Sequence, residues 1–167
     1  MPYAYYTRLK ASDKAIYRRS DDVTSLRLPD PHALQVVVRR LEKALEREDR
    51  LEIDRWVREF VNRFVGGLDV APVVVKVLAA RPSESWGELH GLYELAEGRR
   101  RARITVWMRT AQHKKVVAFR TFLRTVLHEL CHHLDYELLE LADSFHTEGF
   151  FKRESSLFHQ LVPSKEP

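Results

Sequence analysis

Two stretches in the first half of the chain carry apolar residues at helical spacing. Between residues 31 and 48 the apolar positions recur in steps of three and four, with charged residues between them. These positions are Leu34, Val37, Val38, Leu41 and Leu45. Asp30 supplies a capping side chain, and Pro31 follows at the first helical position. Leu51 to Val65 continues the pattern until Gly66 and Gly67, so we predict two amphipathic helices.

Three later segments have the composition of β-strands. Val73 to Leu78 is a β-branched run after a proline, and residues 103–108 have clean β propensity. Trp86 to Leu95 is interrupted by glycines and predicts a second, irregular strand. With the long helix and the C-terminal helix described below, these elements predict an α+β fold with a small mixed sheet, in a single domain of residues 1–167.

The two ends of the chain give weaker patterns. Residues 1–30 are rich in aromatic and basic side chains without a clear period. We predict an extended N-terminal arm that packs back on the domain, with or without a short strand. Residues 163–167 predict a flexible tail.

The longest helical pattern runs from Val116 to about Leu139. Its apolar positions form one stripe that we expect to face the core. They are Phe119, Phe122, Leu123, Val126, Leu127, Leu130 and Leu134. A second, polar stripe runs beside it through Thr121, Thr125, His128, His132 and Asp135. The two histidines are therefore predicted at the edge of the core, facing a cleft.

The polar stripe contains the pattern HExxH, with His128, Glu129 and His132. Residues four apart on a helix lie one turn above each other on the same face, so both imidazoles can bind one zinc ion. Glu129 points about 100° around the helix from His128, where it reaches a metal-bound water without being a ligand. The alternative is a pair of surface histidines on an amphipathic helix, because so short a pattern also occurs by chance.

A catalytic zinc site needs a third protein ligand and one open position. Asp135 lies on the polar stripe, but a third ligand from the same straight helix would lie too far along its axis. We expect Asp135 to orient a histidine N–H instead. Residues 143–145 predict a turn, and His146 at the start of the next helix is the favoured third ligand. Glu154, one to two turns into that helix, is the alternative.

Composition and charge add few constraints. The chain has 167 residues, of which 44% are hydrophobic and 31% charged, which is typical of a soluble globular protein. The formal net charge is +4. Much of the excess lies in residues 99–103, which we interpret as a solvated hairpin turn rather than a nucleic-acid patch.

The single cysteine, Cys131, excludes an internal disulfide and a cysteine-rich zinc ribbon within these residues. We interpret it as a small buried residue rather than a redox-sensitive thiol. The N-terminal residues lack the apolar segment of a secretory signal, and no window approaches about 18 apolar residues. We therefore expect a cytoplasmic protein without a membrane span.

The segments HELCHHLD at 128–135 and HTEGFFKR at 146–153 resemble those of the zincin metallopeptidases. They are most similar to the SprT-like group, in which a His-x-x-x-Phe segment opens the helix after HExxH. His146 and Phe150 match that segment, and the resemblance covers residues 86–162. Thr147 departs from it, because a glycine usually follows the third histidine there. The zinc ribbon often found in that group is also absent from these residues.

The resemblance implies a zincin-like fold and Zn²⁺ as cofactor. In such proteins an edge strand precedes the active-site helix and lines the substrate cleft. Residues 103–108 fit that role, so we expect Ile104 and Val106 to be substrate-binding residues, with the substrate backbone added to them as a further strand.

The function that we expect is hydrolysis of peptide bonds in a protein or peptide substrate, with Glu129 as general base. Tyr136, His133 and Arg153 are the candidates for stabilising the oxyanion, and the sequence does not choose among them. A catalytically silent module that binds a peptide is one alternative, against which Glu129 argues. A DNA-associated protease that uses residues 99–103 is another. In a third, the N-terminal arm covers the cleft and keeps the enzyme latent.

Overall fold

The computed structural model of the chain describes residues 2–84 and 87–164. Within them it has a 3₁₀-helix at Ala4–Arg8, five α-helices and five strands. The α-helices are α1 (Ala11–Asp22), α2 (Pro31–Glu46), α3 (Arg50–Gly67), α4 (Phe119–Glu137) and α5 (Glu148–Leu161). The strands are β1 (Val74–Ala80), β2 (Ser83–Glu84), β3 (Gly87–Glu88), β4 (Gly91–Glu94) and β5 (Arg103–Arg109). The fold class is therefore mixed α+β, as predicted.

Helices α2 and α3 confirm the two predicted amphipathic helices. Asp30 caps α2 by accepting a hydrogen bond from the Ala33 N–H at 3.3 Å, and Pro31 opens the first turn. Asp49 caps α3 in the same way, accepting from the Glu52 N–H at 3.2 Å. The apolar faces of the two helices pack against each other, and α3 also packs on β1.

The prediction of an extended arm over residues 1–30 is wrong for most of its length. The 3₁₀-helix covers residues 4–8 and α1 covers residues 11–22, and of the described part of this segment only residues 2–3, 9–10 and 23–30 lack a helix or strand. Helix α1 buries only Tyr17 and Ser20, so its sequence has no apolar stripe from which a helix can be predicted. The segment does pack back on the domain, as expected, through contacts between α1 and α5.

The main sheet is small and mixed, as predicted, with the strand order β1-β5-β4. Strand β1 runs parallel to β5, and β4 runs antiparallel to it, with Gly91 opposite Val106 and Tyr93 opposite Ile104. Strands β2 and β3 form a separate antiparallel ribbon. The irregular strand predicted from Trp86 to Leu95 is thus divided into β3 and β4, and Trp86 itself lies outside the described residues.

Strand β5, which we expected at the edge of the sheet, is its central strand. It pairs with β1 on one side and β4 on the other, and Ile104 and Val106 are 0% and 1% exposed. The substrate-binding role expected for these two residues is therefore wrong, because neither their side chains nor the backbone of β5 is open to a peptide. The continuous burial along β5 is typical of a strand that is covered on both faces. The edge strand beside the long helix is β4.

Helix α4 is the predicted long helix, and it contacts β4, β5 and α5. Its apolar stripe is buried as predicted, from Phe122 to Leu134. The chain turns back after Leu138, and α5 packs against α4 and α1. This course brings the start of α5 to the polar stripe of α4.

Two further observations concern the C-terminal residues and the character of the helices. Of the predicted tail, Pro163 and Ser164 have no regular secondary structure, and residues 165–167 lie outside the described residues. Among the helices of the described residues, none combines the length and the apolar character needed to cross a membrane.

Candidate metal centre

Three histidine side chains converge between α4 and the start of α5. His128 and His132 stand one turn apart on α4, and His146 lies in the loop before α5. The Nε2 atom of His146 is 3.1 Å from Nε2 of His128 and 3.0 Å from Nε2 of His132. One ligand atom from each residue lies within 4.8 Å of the others, so the three histidines are close enough to bind one metal ion.

His128 is held by a carboxylate on the ring nitrogen that points away from this cluster. Its Nδ1 lies 2.8 Å from Oε1 of Glu154. A carboxylate only accepts hydrogen bonds, so Nδ1 carries the proton and the lone pair of Nε2 faces the cluster. Glu154, the alternative third ligand from the sequence, therefore contacts His128 from behind and does not belong to the histidine cluster.

His132 is oriented by a serine that the sequence analysis did not identify. Its Nδ1 lies 2.7 Å from Oγ of Ser144, and this hydroxyl donates to Oδ2 of Asp135 at 2.7 Å. Because the only hydroxyl proton goes to Asp135, Ser144 accepts from the imidazole, and the lone pair of Nε2 again faces the cluster. Asp135 thus supports a histidine N–H as predicted, but through Ser144 and not directly.

His146 is positioned by the start of α5. Thr147 caps that helix, since its hydroxyl accepts a hydrogen bond from the Phe150 N–H at 2.9 Å. The departure from the glycine of the SprT-like pattern therefore supplies a helix cap. The ring of Phe150 is fully buried and lies 4.8–5.3 Å from the three imidazole rings, so it forms the apolar floor of the centre.

Glu129 lies beside the histidines, largely buried but lining the open space next to them. The side chain is 6% exposed, and within residues 2–84 and 87–164 no hydrogen bond or salt bridge reaches it. Burial raises the pKa of Glu129 to about 7, an effect that nearby His128 opposes and Glu154 reinforces. The carboxyl group is therefore poised to gain or lose a proton near neutral pH.

Two of the three histidines, His132 and His146, are kept in the neutral form that a metal ligand requires. Desolvation, followed by the proximity of His128 and His146, lowers the pKa of His132 to about 3. Desolvation and His128 likewise lower the pKa of His146. Neutral imidazoles offer their lone pairs without first losing a proton, so the cluster is electrostatically prepared for a cation.

The edge strand β4 runs across the mouth of the centre and is flanked by two open clefts. One cleft, of about 440 Å³, extends from Gly91 past Glu129 to Arg124 and Glu154. The other, of about 360 Å³, extends from Gly91 past His132 and His146 to Tyr136. Neither is lined by residues 1–30, so the N-terminal segment leaves both clefts open.

Two of the three oxyanion candidates lie in the wrong place for that role. His133 is fully buried; its Nε2 donates to the carbonyl oxygen of Ala71 at 2.7 Å, and its Nδ1 accepts from the hydroxyl of Tyr93 at 2.9 Å. Arg153 is fully buried against Asp135 and α1. Tyr136 lines the same cleft as the three histidines, and its hydroxyl donates to Asp143 at 3.2 Å.

Cys131 is buried, as expected, and burial raises the pKa of its thiol well above the usual range. In the basic run, Arg100 lies 3.7 Å from Glu94 and 3.4 Å from Glu97. Arg103 lies 3.2 Å from Glu94. Carboxylates therefore compensate two of the four arginines in residues 99–103.

The chain matches no known protein family, no curated protein and no solved structure. The function therefore has to be argued from the geometry of the site itself.

Proposed function

We propose that this protein is a zinc-dependent peptidase of the zincin type, with Glu129 as its general base. The observation that carries the proposal is the position of the Glu129 carboxylate. It lies beside three converging histidine nitrogens and the edge strand β4, without a hydrogen-bonding partner among the described residues. A structural metal site has no use for an unpaired carboxylate beside the ion, whereas a hydrolytic site needs one.

The donor set suits zinc. Three imidazole nitrogens are a frequent ligand set for catalytic zinc, and nitrogens bound tetrahedrally at 2.0–2.1 Å would lie roughly 3.3–3.4 Å apart. The two separations from His146 Nε2, 3.0 and 3.1 Å, are close to that value. Two of the histidines also have the carboxylate or hydroxyl partners on Nδ1 that metal-binding histidines normally have. His128, His132 and His146 would hold the ion and leave one position open.

When bound, zinc would lower the pKa of a coordinated water and polarise the scissile carbonyl. The protein supplies the proton transfers. Glu129 would accept a proton from the attacking water and pass it to the leaving amine. Its raised pKa supports both roles, because a carboxyl group that titrates near neutral pH takes up and releases a proton readily.

We propose β4, and not β5, as the strand to which a substrate backbone adds. Among the described strands β4 has a neighbour on one side only, and it passes directly over Glu129. An extended peptide pairing with its free edge would lie across the mouths of both clefts. Leu92 and Leu95, 38% and 48% exposed, offer apolar contacts there.

For the oxyanion, we propose Tyr136 among the three original candidates. Its hydroxyl lines the cleft of the histidines, and burial raises its pKa to about 12, so it remains a hydrogen-bond donor at neutral pH. To donate to a substrate, it would exchange the exposed carboxylate of Asp143 for the developing negative charge.

The two rival functions receive less support. A silent peptide-binding module does not explain the unpaired carboxylate of Glu129 beside the three histidines. A DNA-associated protease of the SprT-like kind would use the basic run, but the salt bridges of Arg100 and Arg103 to glutamates reduce the positive charge there. A general peptidase is therefore the function that the geometry supports best.

The direct experiment combines metal analysis with an assay for proteolysis. We expect purified protein to bind about one zinc ion per chain and to cleave a fluorescently labelled, unfolded protein. A chelator should abolish cleavage, and stoichiometric zinc should restore it. A zinc-loaded protein that leaves a panel of unfolded proteins and peptides intact would contradict the proposal and favour the binding module.

A further inference from the structure

The N-terminal segment, defined here as residues 4–23, contacts the metal centre from behind. Tyr5, Ser20 and Asp21 make hydrogen bonds to the chain at residues 146–149. Ser20 and Val23 accept hydrogen bonds from Arg153, which in turn contacts Asp135 behind His132. None of them lines either cleft. These contacts link a segment that is distant in sequence to the two ligands His132 and His146.

On the His132 side, the link is the fully buried side chain of Arg153. Its guanidinium donates to Oδ1 of Asp135 at 2.9 Å and to Oγ of Ser20 at 3.0 Å. It also donates to the carbonyl oxygens of Ser20 and Val23 at the end of α1. The same Asp135 accepts from Ser144, which holds the His132 ring. Docking of α1 and the orientation of His132 therefore share one buried network.

On the His146 side, the segment contacts the backbone of the ligand itself. The hydroxyl of Tyr5 donates to the carbonyl oxygen of His146 at 2.7 Å. Ser20 Oγ lies 3.1 Å from the Thr147 hydroxyl that caps α5. The Gly149 N–H donates to Oδ1 of Asp21 at 2.9 Å.

Gly149 permits this close approach. A Cβ atom there would lie 2.5 Å from the carbonyl oxygen of Asp21 and 2.7 Å from that of Ser20. Such distances are far inside van der Waals contact, so only glycine allows α5 to begin directly against the end of α1. The segment from His146 to Gly149 is thereby held against the N-terminal segment.

We propose that Tyr5 and Ser20 are positioning residues of the metal centre, and that docking of residues 4–23 and metal binding stabilise each other. The inference rests on the metal site of the proposed function, but it does not require peptidase activity. This role differs from the latency alternative, in which the N-terminal arm inhibits the enzyme. Loss of these contacts should lower the affinity for the metal and should not increase activity. Coupling of this kind is reciprocal, so the metal must also protect α1 from opening.

The matched pair of variants is Tyr5→Phe and Tyr6→Phe in the full chain. Both rings pack on Tyr17, with centroids 5.5 and 5.1 Å away, but the Tyr6 hydroxyl accepts from Arg18 and does not contact the His146 segment. We expect Tyr5→Phe to weaken zinc binding about tenfold, as loss of outer-shell partners does. Tyr6→Phe should bind zinc like the wild type. A competition titration with a chromophoric chelator measures both affinities.

Two more readouts separate positioning from a general loss of stability. Cobalt(II) bound in place of zinc has a visible absorption spectrum that reports the arrangement of its ligands, and Tyr5→Phe should change it while Tyr6→Phe does not. Zinc should also slow amide hydrogen exchange in residues 11–22 of the wild type, and less so in Ser20→Ala. Ser20→Ala should weaken zinc binding as well, and thermal unfolding confirms that each variant is folded.

Equal zinc affinities and equal cobalt spectra for the two tyrosine variants would overturn the inference, as would hydrogen exchange in α1 that zinc leaves unchanged. Because no peptide is present in these measurements, the inference and the proposed function fail separately. A protein that binds zinc with this dependence on Tyr5 but cleaves nothing would refute the peptidase alone.

Discussion

Gly91 of β4 lies directly against the carboxylate of Glu129. A Cβ atom at Gly91 would be 2.8 Å from Oε1 of Glu129 and 2.8 Å from Cγ2 of Thr125. The backbone of the edge strand thus passes over the proposed general base at a distance that leaves no room for a side chain. The glycine brings the strand that would hold a substrate next to the group that would act on it.

We therefore expect Gly91→Ala to impair catalysis more than metal binding. The added methyl group must displace either the Glu129 carboxylate or β4, and a misplacement of about 1 Å can cost on the order of 100-fold in rate. Steady-state kinetics should show a large loss of kcat/KM while zinc content stays near one per chain. Gly66→Ala is the control, because a Cβ there meets nothing within 4 Å. Wild-type kinetics for Gly91→Ala would show that the close approach has no catalytic role.

The variants His146→Ala and Glu154→Gln test the assignment of the third ligand. We expect His146→Ala to lose zinc on dialysis, because only two of the three histidine ligands remain to hold it. Glu154→Gln should retain zinc with about 10- to 100-fold lower affinity, since only the support behind His128 is weakened. Metal analysis and competition titration measure these effects, with the exposed His159→Ala as control. The reverse order of affinities would make Glu154 the ligand.

Ser144→Ala tests the connection between Asp135 and His132. Without the hydroxyl, His132 Nδ1 loses its acceptor and the ring is free to rotate away from the cluster. We expect zinc affinity to fall about 10- to 100-fold, as for other outer-shell partners. Ser25→Ala, at an exposed position, should have no effect. An unchanged affinity in Ser144→Ala would mean that packing alone orients the ring.

The variants Tyr93→Phe and Tyr136→Phe distinguish an effect on stability from an effect on catalysis. Tyr93→Phe leaves Nδ1 of the buried His133 without its donor, so we expect a loss of about 1–3 kcal/mol in the free energy of unfolding. Tyr136→Phe removes only an exposed hydrogen bond to Asp143 and should change stability little, but it should lower kcat. Urea unfolding of the metal-free proteins and kinetics of the zinc forms measure the two effects. Equal losses of stability would remove the distinction.

Most of the helical framework could be predicted because its signals are local. The Asp30 cap and the apolar stripes of α2, α3 and α4 define both where these helices lie and which faces they bury. Helix α1 escaped prediction because its buried face consists of one tyrosine and one serine. It is held in place by ring contacts of Tyr17 and by hydrogen bonds to the start of α5 and to Arg153. Such tertiary contacts leave no period in the sequence.

The order of strands in the sheet was beyond the reach of the sequence pattern. Residues 103–108 resemble an edge strand only by their place before the long helix. Four of the five residues from Ile104 to Met108 are apolar, which fits a strand with neighbours and cover on both faces and was the available signal against that interpretation. The segment that contains β4 was recognisable only as an irregular strand, because Gly91 has low β propensity. A glycine stands there because a Cβ atom would collide with the Glu129 side chain.

Part of the site could be predicted because its signals, like those of the helices, are local in the sequence. His128, Glu129 and His132 follow from helical spacing, and His146 follows from the need for a ligand beyond the turn. Ser144 and Tyr5 were not identified, because nothing in the sequence brings Ser144 into contact with His132 or Tyr5 into contact with the His146 backbone. His133 and Arg153 were correctly placed near the site but given the wrong task, since only the structure shows that hydrogen bonds within the core occupy both side chains.

Glu129→Gln tests the central claim most directly, because glutamine keeps the shape of the side chain and removes its basicity. The variant should bind zinc as tightly as the wild type and give the same cobalt spectrum, while cleavage of an unfolded protein substrate falls by at least about 100-fold. Zinc analysis and the cleavage assay on the same preparation measure both quantities. Full activity in Glu129→Gln with zinc bound would contradict the account.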